Sequence, residues 1–183
     1  MPIRKTNLSY DLDSCLVSFE QVQNRLRPDM WKTSNDGSTQ TCLQKSNKID
    51  GWGDPSDHPY IDGAGSFRNT NKIESDYDIL LEIYQGTLFE KIIQDMDGVR
   101  SRLMTKRKHT TYSVHKDQIS RYHLALITNP NAYFIFPTLN QIMHIPADGC
   151  LYEVDTTILH SFVNCGPDRM HLVMSKGAHH DQV

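Results

Sequence analysis

The sequence has no apolar run long enough to cross a bilayer, and its first residues, MPIRKTNLSYD, lack the apolar core of a secretory leader. It also lacks a strong charge imbalance, because 19 Lys and Arg residues oppose 22 Asp and Glu residues in a chain of 183 residues. This balance excludes the broad basic field that binds nucleic acid or an acidic membrane. We expect a soluble, cytoplasmic protein without these partners, and its oligomeric state stays open.

Cysteines are few and scattered along the chain. The sequence contains four, and no two of them form a C-x-x-C pair: Cys15, Cys42, Cys150 and Cys165. We therefore expect reduced thiols rather than disulfides. Cys150 and Cys165 lie in strand-like runs, which favours a role as small core residues over reactive ones.

Helical spacing of apolar residues is found in the first part of the chain. Residues 12–26 repeat apolar side chains at helical intervals, and Pro28 ends the pattern. A second helical region is predicted in SDYDILLEIY and, after Gly86, in TLFEKIIQDM. Thr87 is a suitable N-cap for the latter, and Gly98 lies just beyond its end.

Residues 30–75 are rich in Asn, Asp, Gly, Ser and Thr and have weak periodicity. We predict a long irregular segment. Loops of this length in compact domains are usually functional or disordered, so two interpretations stay open. The segment is either a surface excursion or a lid over a site, to which four residues would belong: Trp31, Trp52, His58 and Tyr60.

After Gly98 the chain changes to short runs with strand character, separated by polar turns. Eight such runs follow one another without a helix: VRSRLMT, TTYSVHKD, RYHLALIT, AYFIF, QIMHI, CLYEV, LHSFVNC and RMHLVMS. This pattern predicts a mainly β fold, an antiparallel sandwich or barrel. The length suits one domain over residues 1–183, with a helical and loop-rich part at 1–98 and the strand core at 99–176.

A candidate metal site lies within these strand runs. His115 and Asp117 are two residues apart, so in a strand both side chains face the same side, and His160 on a later run can supply a third ligand. Two histidines and one carboxylate form the facial triad of non-haem iron(II) oxygenases, which keeps coordination positions open for a 2-oxo acid and dioxygen. A closed structural zinc site has no such vacancy. An isolated H-x-D pair, however, is more often a surface turn or a hydrogen-bonded pair.

Three further polar residues strengthen the prediction of metal binding. Arg169 begins the run after His160, and its planar guanidinium can hold a carboxylate by two parallel hydrogen bonds. Arg121 and His123 share one face of RYHLALIT, a run that is otherwise apolar. The order of these residues along the chain favours a metal site over unrelated polar side chains.

Together these motifs resemble the aspartyl/asparaginyl and prolyl β-hydroxylase family of iron(II)/2-oxoglutarate dioxygenases. The resemblance covers residues 87–175, roughly half of the chain. YSVHKD is similar to the family's first ligand strand, and RYHLALITN is similar to its R-x-H strand. The most specific part is GCLYEVDTTILHSFVNCGPDRMHLV, which looks like the closing hairpin. Residues 30–75 have no counterpart.

The resemblance implies a double-stranded β-helix, a cupin-like jelly roll, with N-terminal flanking helices. It implies that Fe(II) is bound by His115, Asp117 and His160. Arg169 would pair with the far carboxylate of 2-oxoglutarate, and His123 would lie near the carboxylate that chelates the metal. Arg121 is a candidate for either the cosubstrate or an acidic group of the substrate. The implied reaction uses O2, hydroxylates Asp, Asn or Pro, free or within a peptide or protein, and releases succinate and CO2.

Two rival functions remain at this point. One is a cupin-like metal-binding sensor or binding protein without oxidative activity, which has no particular need for Arg169 beside the metal. The other is a jelly-roll interaction module without metal.

Three residues around the predicted centre have open roles. Asn164 and Asp155 are candidates to stabilise the hairpin of His160, with a turn-forming role as the alternative for Asp155. His171 shares a face with Arg169, and a structural role is favoured over a place in the site.

Overall fold

The computed structural model describes residues 1–46, 48, 58–65, 72–175 and 177. Within these ranges the chain forms two α-helices, α1 (Leu12–Gln23) and α2 (Leu88–Asp95). The strands in the same ranges are β1 (Ile3–Ser9), β2 (Lys32–Thr33), β3 (Thr39–Cys42), β4 (Gln44–Lys45), β5 (Ile79–Leu80), β6 (Val99–Lys106), β7 (Thr110–Thr111), β8 (Arg121–Ile127), β9 (Ala132–Phe136), β10 (Gln141–Met143), β11 (Cys150–Val154), β12 (Ser161–Asn164) and β13 (Arg169–Ser175). None of the helices in the described part of the chain has the length and apolar content of a membrane-crossing segment.

The strands form two main antiparallel sheets. The larger sheet has the order β1-β11-β8-β13-β6-β3-β2, the smaller has the order β10-β9-β12-β7, and β4 and β5 form a separate pair. One apolar cluster joins the larger sheet to α1 and α2, and a second cluster lies between the two sheets. The predicted mainly β fold, a jelly roll with N-terminal flanking helices, is confirmed.

Alternation along the strands separates the apolar core from the polar interior of the jelly roll. A row of four paired leucines crosses the larger sheet and belongs to the cluster that contains Phe89 and Ile92 of α2: Leu151, Leu124, Leu172 and Leu103. Because successive side chains of a strand point to opposite faces, Arg102, His123 and His171 lie on the other face of this sheet. That face looks toward the smaller sheet and carries the polar residues of the site.

The predicted helix in SDYDILLEIY is wrong. The segment forms the 3-10 helices Glu74–Asp76 and Glu82–Tyr84 with β5 between them. Its backbone groups bond to distant partners, since the Leu81 N–H donates to the Leu43 carbonyl at 2.8 Å and the Arg100 N–H donates to the Tyr77 carbonyl at 2.8 Å. These tertiary hydrogen bonds replace the local ones that a helix would make.

The predicted irregular segment at residues 30–75 is only partly irregular. Strand β3 pairs with β6 and extends the larger sheet, and β2 pairs with β3 at its edge. At the opposite edge, β1 pairs with β11, and the sequence did not indicate this strand. Trp52, one of the four proposed lid residues, lies outside the described residues.

All four cysteines are free thiols. Cys15, Cys42 and Cys150 are buried, whereas Cys165 is exposed, so the predicted core position of Cys165 is wrong. Strand β12 ends at Asn164, and the alternation that would turn the Cys165 side chain inward therefore ends before it.

Candidate metal centre

The side chains of His115, Asp117 and His160 meet at one point. Their ligand atoms all lie within 4.8 Å of one another. The predicted strand through His115 is not continuous, because β7 ends at Thr111 and His115 instead forms an isolated backbone bridge with His160. Its N–H donates to the His160 carbonyl at 3.0 Å, and the Asp117 N–H donates to the Thr156 carbonyl at 2.8 Å. Two separate backbone anchors therefore place these three side chains.

Backbone carbonyls orient both histidine rings. Nδ1 of His115 lies 2.8 Å from the Ser113 carbonyl oxygen, and Nδ1 of His160 lies 3.0 Å from that of Ile158. A carbonyl only accepts hydrogen bonds, so each Nδ1 carries the proton and each Nε2 keeps a lone pair for a metal. Burial holds the pKa of His160 below its ordinary value, which favours the neutral ring that a metal requires.

The two carboxylate oxygens of Asp117 have different surroundings. Oδ1 lies 4.0 Å from Nε2 of His115, whereas Oδ2 lies 3.2 Å from Nε of Arg121. One oxygen thus faces the histidines and the other is held by a guanidinium. Two imidazole nitrogens and one carboxylate oxygen in this arrangement fit a divalent transition metal such as iron(II).

Arg121 is held on its other side by Glu74. Its two terminal nitrogens bond to the two carboxylate oxygens of Glu74, and Nη1 also lies 2.6 Å from the Ser175 hydroxyl oxygen. Burial alone would raise the pKa of Glu74, but Arg121 and Arg100 hold this pKa below its ordinary value. The structure thus places Arg121 between two carboxylates, and its suggested contact with a cosubstrate or substrate stays a prediction.

Arg121→Lys is expected to weaken metal binding about tenfold to hundredfold, the usual effect of losing a group that orients a ligand. A lysine ammonium is a single point charge and cannot bond to Asp117 and to both oxygens of Glu74 at once. The dissociation constant for Mn²⁺, measured by calorimetry, checks this. Arg107→Lys is the control, because Arg107 is an exposed arginine paired with Asp168. An unchanged constant in a folded Arg121→Lys variant would show that the guanidinium does not position Asp117.

The three residues of the candidate metal site line a cavity of about 650 Å³. This volume lies within the range typical of small-molecule sites. The cavity is lined by Asp117 and both histidines of the site together with aromatic and basic side chains, among them Phe134, Phe162, Tyr112, His123, Arg102 and Arg169. The arrangement combines a candidate metal site with a cavity that is lined mainly by polar residues and has aromatic side chains and buried cations in its wall.

Arg169 lies in this cavity and is 3% exposed. Its guanidinium carbon lies 3.7 Å above the Phe162 ring, and its Nε and Nη1 have no hydrogen-bond partner among the described residues. Burial lowers the pKa of Arg169 to about 10. An isolated buried charge is costly, so the unsatisfied donors of this guanidinium suit an anion, and its pairing with the cosubstrate stays a prediction.

His123 lines the cavity and His171 stands behind it. Their Nδ1 atoms are 3.4 Å apart, and the rings meet edge to face. His171 does not line the cavity, which agrees with the structural role favoured from the sequence. Burial is the main cause that holds the pKa of each of the two histidines well below its ordinary value.

This histidine pair predicts a loss of stability in acid. Both rings are neutral when folded and would take up protons near pH 6.5 when unfolded, so the stability present above about pH 6.5 is lost below it. At about pH 5.5 we expect the free energy of unfolding to fall by on the order of 1 kcal/mol for each histidine. Urea unfolding of metal-free protein at about pH 7.5 and about pH 5.5 measures it. The loss of unfolding free energy between the two pH values should be smaller in His171→Leu by the contribution of one histidine. An equal loss in wild type and variant would contradict the prediction.

Asn164 stabilises the hairpin that follows His160, as predicted, whereas Asp155 has the turn-forming role that was its alternative. Nδ2 of Asn164 donates to the carbonyls of Lys106 and Arg107, both at 3.1 Å, and thus ties the hairpin of β12 and β13 to the end of β6. Oδ1 of Asp155 accepts from the Thr157 N–H at 3.1 Å, which is a turn-forming contact. The ring of His160 is oriented by a backbone carbonyl instead.

Glu74 and Arg102 are among the residues of the cavity wall that the sequence did not indicate. Glu74 lies in the segment predicted to be irregular, and only its tertiary contact with Arg121 identifies it. Arg102 had a detectable signal, because it alternates with the apolar Leu103 on β6 and therefore faces the interior.

Comparison with known proteins identifies the fold and leaves the family open. No family model matches the chain, and no curated protein is similar to it. The structure of a Pseudomonas putida prolyl-4-hydroxylase is similar over 96% of this chain and 92% of that chain, with 11% identity and a TM-score of 0.53. Rhodobacter sphaeroides SigE in complex with the anti-sigma ChrR matches with 12% identity and a TM-score of 0.41, over 86% of this chain and 54% of that chain. The first likeness shows that this protein has the jelly-roll fold of that prolyl-4-hydroxylase.

Proposed function

We propose that this protein is an iron(II)- and 2-oxoglutarate-dependent dioxygenase that hydroxylates an amino acid or an amino-acid residue of a peptide or protein. One observation carries the proposal: the cluster of two histidines and Asp117 shares a cavity with Arg169, whose buried guanidinium has unsatisfied donors. A metal site alone would suit many functions. A metal site together with a buried carboxylate receptor suits a 2-oxo diacid, and the fold likeness to a prolyl-4-hydroxylase supports the same reading.

The residues would divide the work as follows. Nε2 of His115, Nε2 of His160 and Oδ1 of Asp117 would hold the iron, and three protein ligands leave positions for other groups. Arg169 would bind the far carboxylate of 2-oxoglutarate through its guanidinium. His123 lines the same cavity and would contact the carboxylate nearer the metal.

The protein itself would orient the reacting groups and cover one side of the cavity with apolar rings. Bound iron(II) would supply the activation of dioxygen and of an unreactive C–H bond, which side chains cannot perform. The carbonyls of Ser113 and Ile158 keep the histidine protons on Nδ1, and Arg121 keeps one oxygen of Asp117 turned away from the histidines. The rings of Phe134 and Phe162, 5.1 Å apart, form an apolar wall that limits water in the cavity.

Succinate formation tests the function. Anaerobically purified protein would be supplied with Fe(II), 2-oxoglutarate, ascorbate and air, with and without a pool of free amino acids and peptides. We expect 2-oxoglutarate-dependent succinate that disappears when a chelator removes the metal. A protein that binds iron, binds no 2-oxoglutarate and forms no succinate under any condition would instead be a metal-binding sensor.

A further inference from the structure

The wall of the cavity contains a second cation that the proposed cosubstrate does not use. Arg102 on β6 is 5% exposed and lines the cavity. Its Nη1 lies 3.3 Å from Oε1 of Gln40, and its Nε has no hydrogen-bond partner among the described residues. A buried charge with an unsatisfied donor that borders a cavity indicates a ligand of opposite charge.

Two carboxylates on this side of the cavity already have basic partners. Glu74 pairs with both Arg100 and Arg121, with Nη1 of Arg100 at 3.1 Å from its Oε1. Asp117 belongs to the metal site and also contacts Arg121. Burial, and after it the charge of Arg121, lowers the pKa of Arg102, as expected for a buried guanidinium near another cation. Neither carboxylate is a described hydrogen-bond partner of Arg102, so an anion in the cavity would satisfy its Nε.

Arg102 and Arg169 stand at different levels of the same pair of strands. In the pairing of β6 with β13, Arg169 stands opposite Lys106, whereas Arg102 stands opposite Val173. Four residues along a strand correspond to roughly 13 Å between Cα atoms. The two guanidiniums therefore enter the cavity from different levels, and a carboxylate paired with Arg169 leaves Arg102 available for a second anion.

Arg102 is also close to the reacting region. It stands in one row of the larger sheet with Val173 and His123, and Arg121, which contacts Asp117, stands two residues before His123 on β8. A group bound by Arg102 would lie beside the cosubstrate rather than at the far end of the cavity. This is the position that the substrate must occupy.

We propose that Arg102 binds a carboxylate of the primary substrate, with Gln40 as its supporting partner. The proposal rests on the proposed function and defines its substrate class: a carboxylic acid, either a free amino acid or an acidic residue of a peptide. An amino acid whose carboxylates are all converted to amides is not a substrate of this class.

Calorimetry on the Mn²⁺- and 2-oxoglutarate-loaded protein tests the proposal with three acids and the amide that corresponds to each. The acids are L-proline, L-aspartate and N-acetyl-L-aspartate amide, and the corresponding amides are L-prolinamide, L-asparagine amide and N-acetyl-L-asparagine amide. We expect at least one acid to bind about tenfold or more tightly than its amide, since two charge-assisted hydrogen bonds contribute this much or more. Binding of the free amino acids alone indicates an α-carboxylate, and binding of the capped aspartate indicates a side-chain carboxylate.

The decisive variant is Arg102→Gln. It should weaken binding of the preferred acid about tenfold or more and leave binding of the amide unchanged. Arg107→Gln is the matched control, since it removes one exposed arginine just beyond β6. If Arg102→Gln fails to fold, as judged by circular dichroism, Arg102→Lys replaces it. The single ammonium of lysine should still bind the acid more weakly than the wild-type guanidinium does.

Two results would overturn the proposal. One is equal binding of acids and amides, or binding of none of them, by wild-type protein. The other is unchanged acid binding in a folded Arg102 variant. If wild-type protein binds the acid and the Arg102 variant does not, while wild type neither binds 2-oxoglutarate nor forms succinate, the Arg102 site is retained and the dioxygenase function is rejected.

Discussion

Replacement of His115 by alanine is expected to reduce iron-dependent succinate formation by more than about a hundredfold. Loss of a residue that merely hydrogen-bonds to a metal ligand can already reduce activity by about that factor. Nε2 of His115 is one of three converging ligand atoms, and two remaining ligands bind a divalent metal far more weakly. The fold should persist, because the side chain is 41% exposed and its one described hydrogen bond goes to the Ser113 carbonyl.

The measurement compares succinate formation and the Mn²⁺ dissociation constant of wild type with those of His115→Ala. His109→Asn is the control, because His109 is an exposed histidine outside the cluster, and its φ of 56° suits asparagine. Activity retained in His115→Ala, with metal binding intact, would remove the cluster from the proposed catalytic role.

Replacement of Arg169 by methionine is expected to raise the 2-oxoglutarate concentration for half-maximal activity by about a hundredfold or more, the effect of losing two charge-assisted hydrogen bonds. The same substitution should leave the free energy of unfolding of the ligand-free protein unchanged or higher. It removes a buried charge whose Nε and Nη1 are unsatisfied, and an apolar side chain of similar length suits the contact with Phe162.

Succinate formation against 2-oxoglutarate concentration, and urea unfolding without cosubstrate, measure the two effects. Arg107→Met provides the comparison for loss of an exposed arginine. An unchanged 2-oxoglutarate requirement would show that Arg169 does not bind the cosubstrate. A large loss of stability would show that its guanidinium has a structural task.

Local pattern was sufficient for much of the fold. The eight strand runs after Gly98 correspond to β6–β13, because alternation of apolar and polar side chains is a property of each strand by itself. Helix α1 is also determined by neighbouring residues, since the Asp11 side chain accepts a hydrogen bond from the Ser14 N–H and caps its first turn.

Long-range pairing decided the parts of the fold that the pattern missed. Strand β1 pairs with β11, about 150 residues later, and β3 pairs with β6, about 60 residues later. Neither strand has a strong pattern of its own, so each forms because a partner is present. SDYDILLEIY shows the converse, since its helical spacing is overridden by backbone bonds to Leu43 and Arg100.

The sequence by itself was enough to single out His115, Asp117, His160 and Arg169, because these residue types at these spacings are few and chemically specific. It did not determine how their donors are arranged. The protons on the histidine Nδ1 atoms, the hold of Arg121 on Asp117 and the unsatisfied Nε of Arg102 arise from contacts between segments far apart in the chain. Burial and hydrogen-bond satisfaction are properties of the whole fold, so only the tertiary structure decided them.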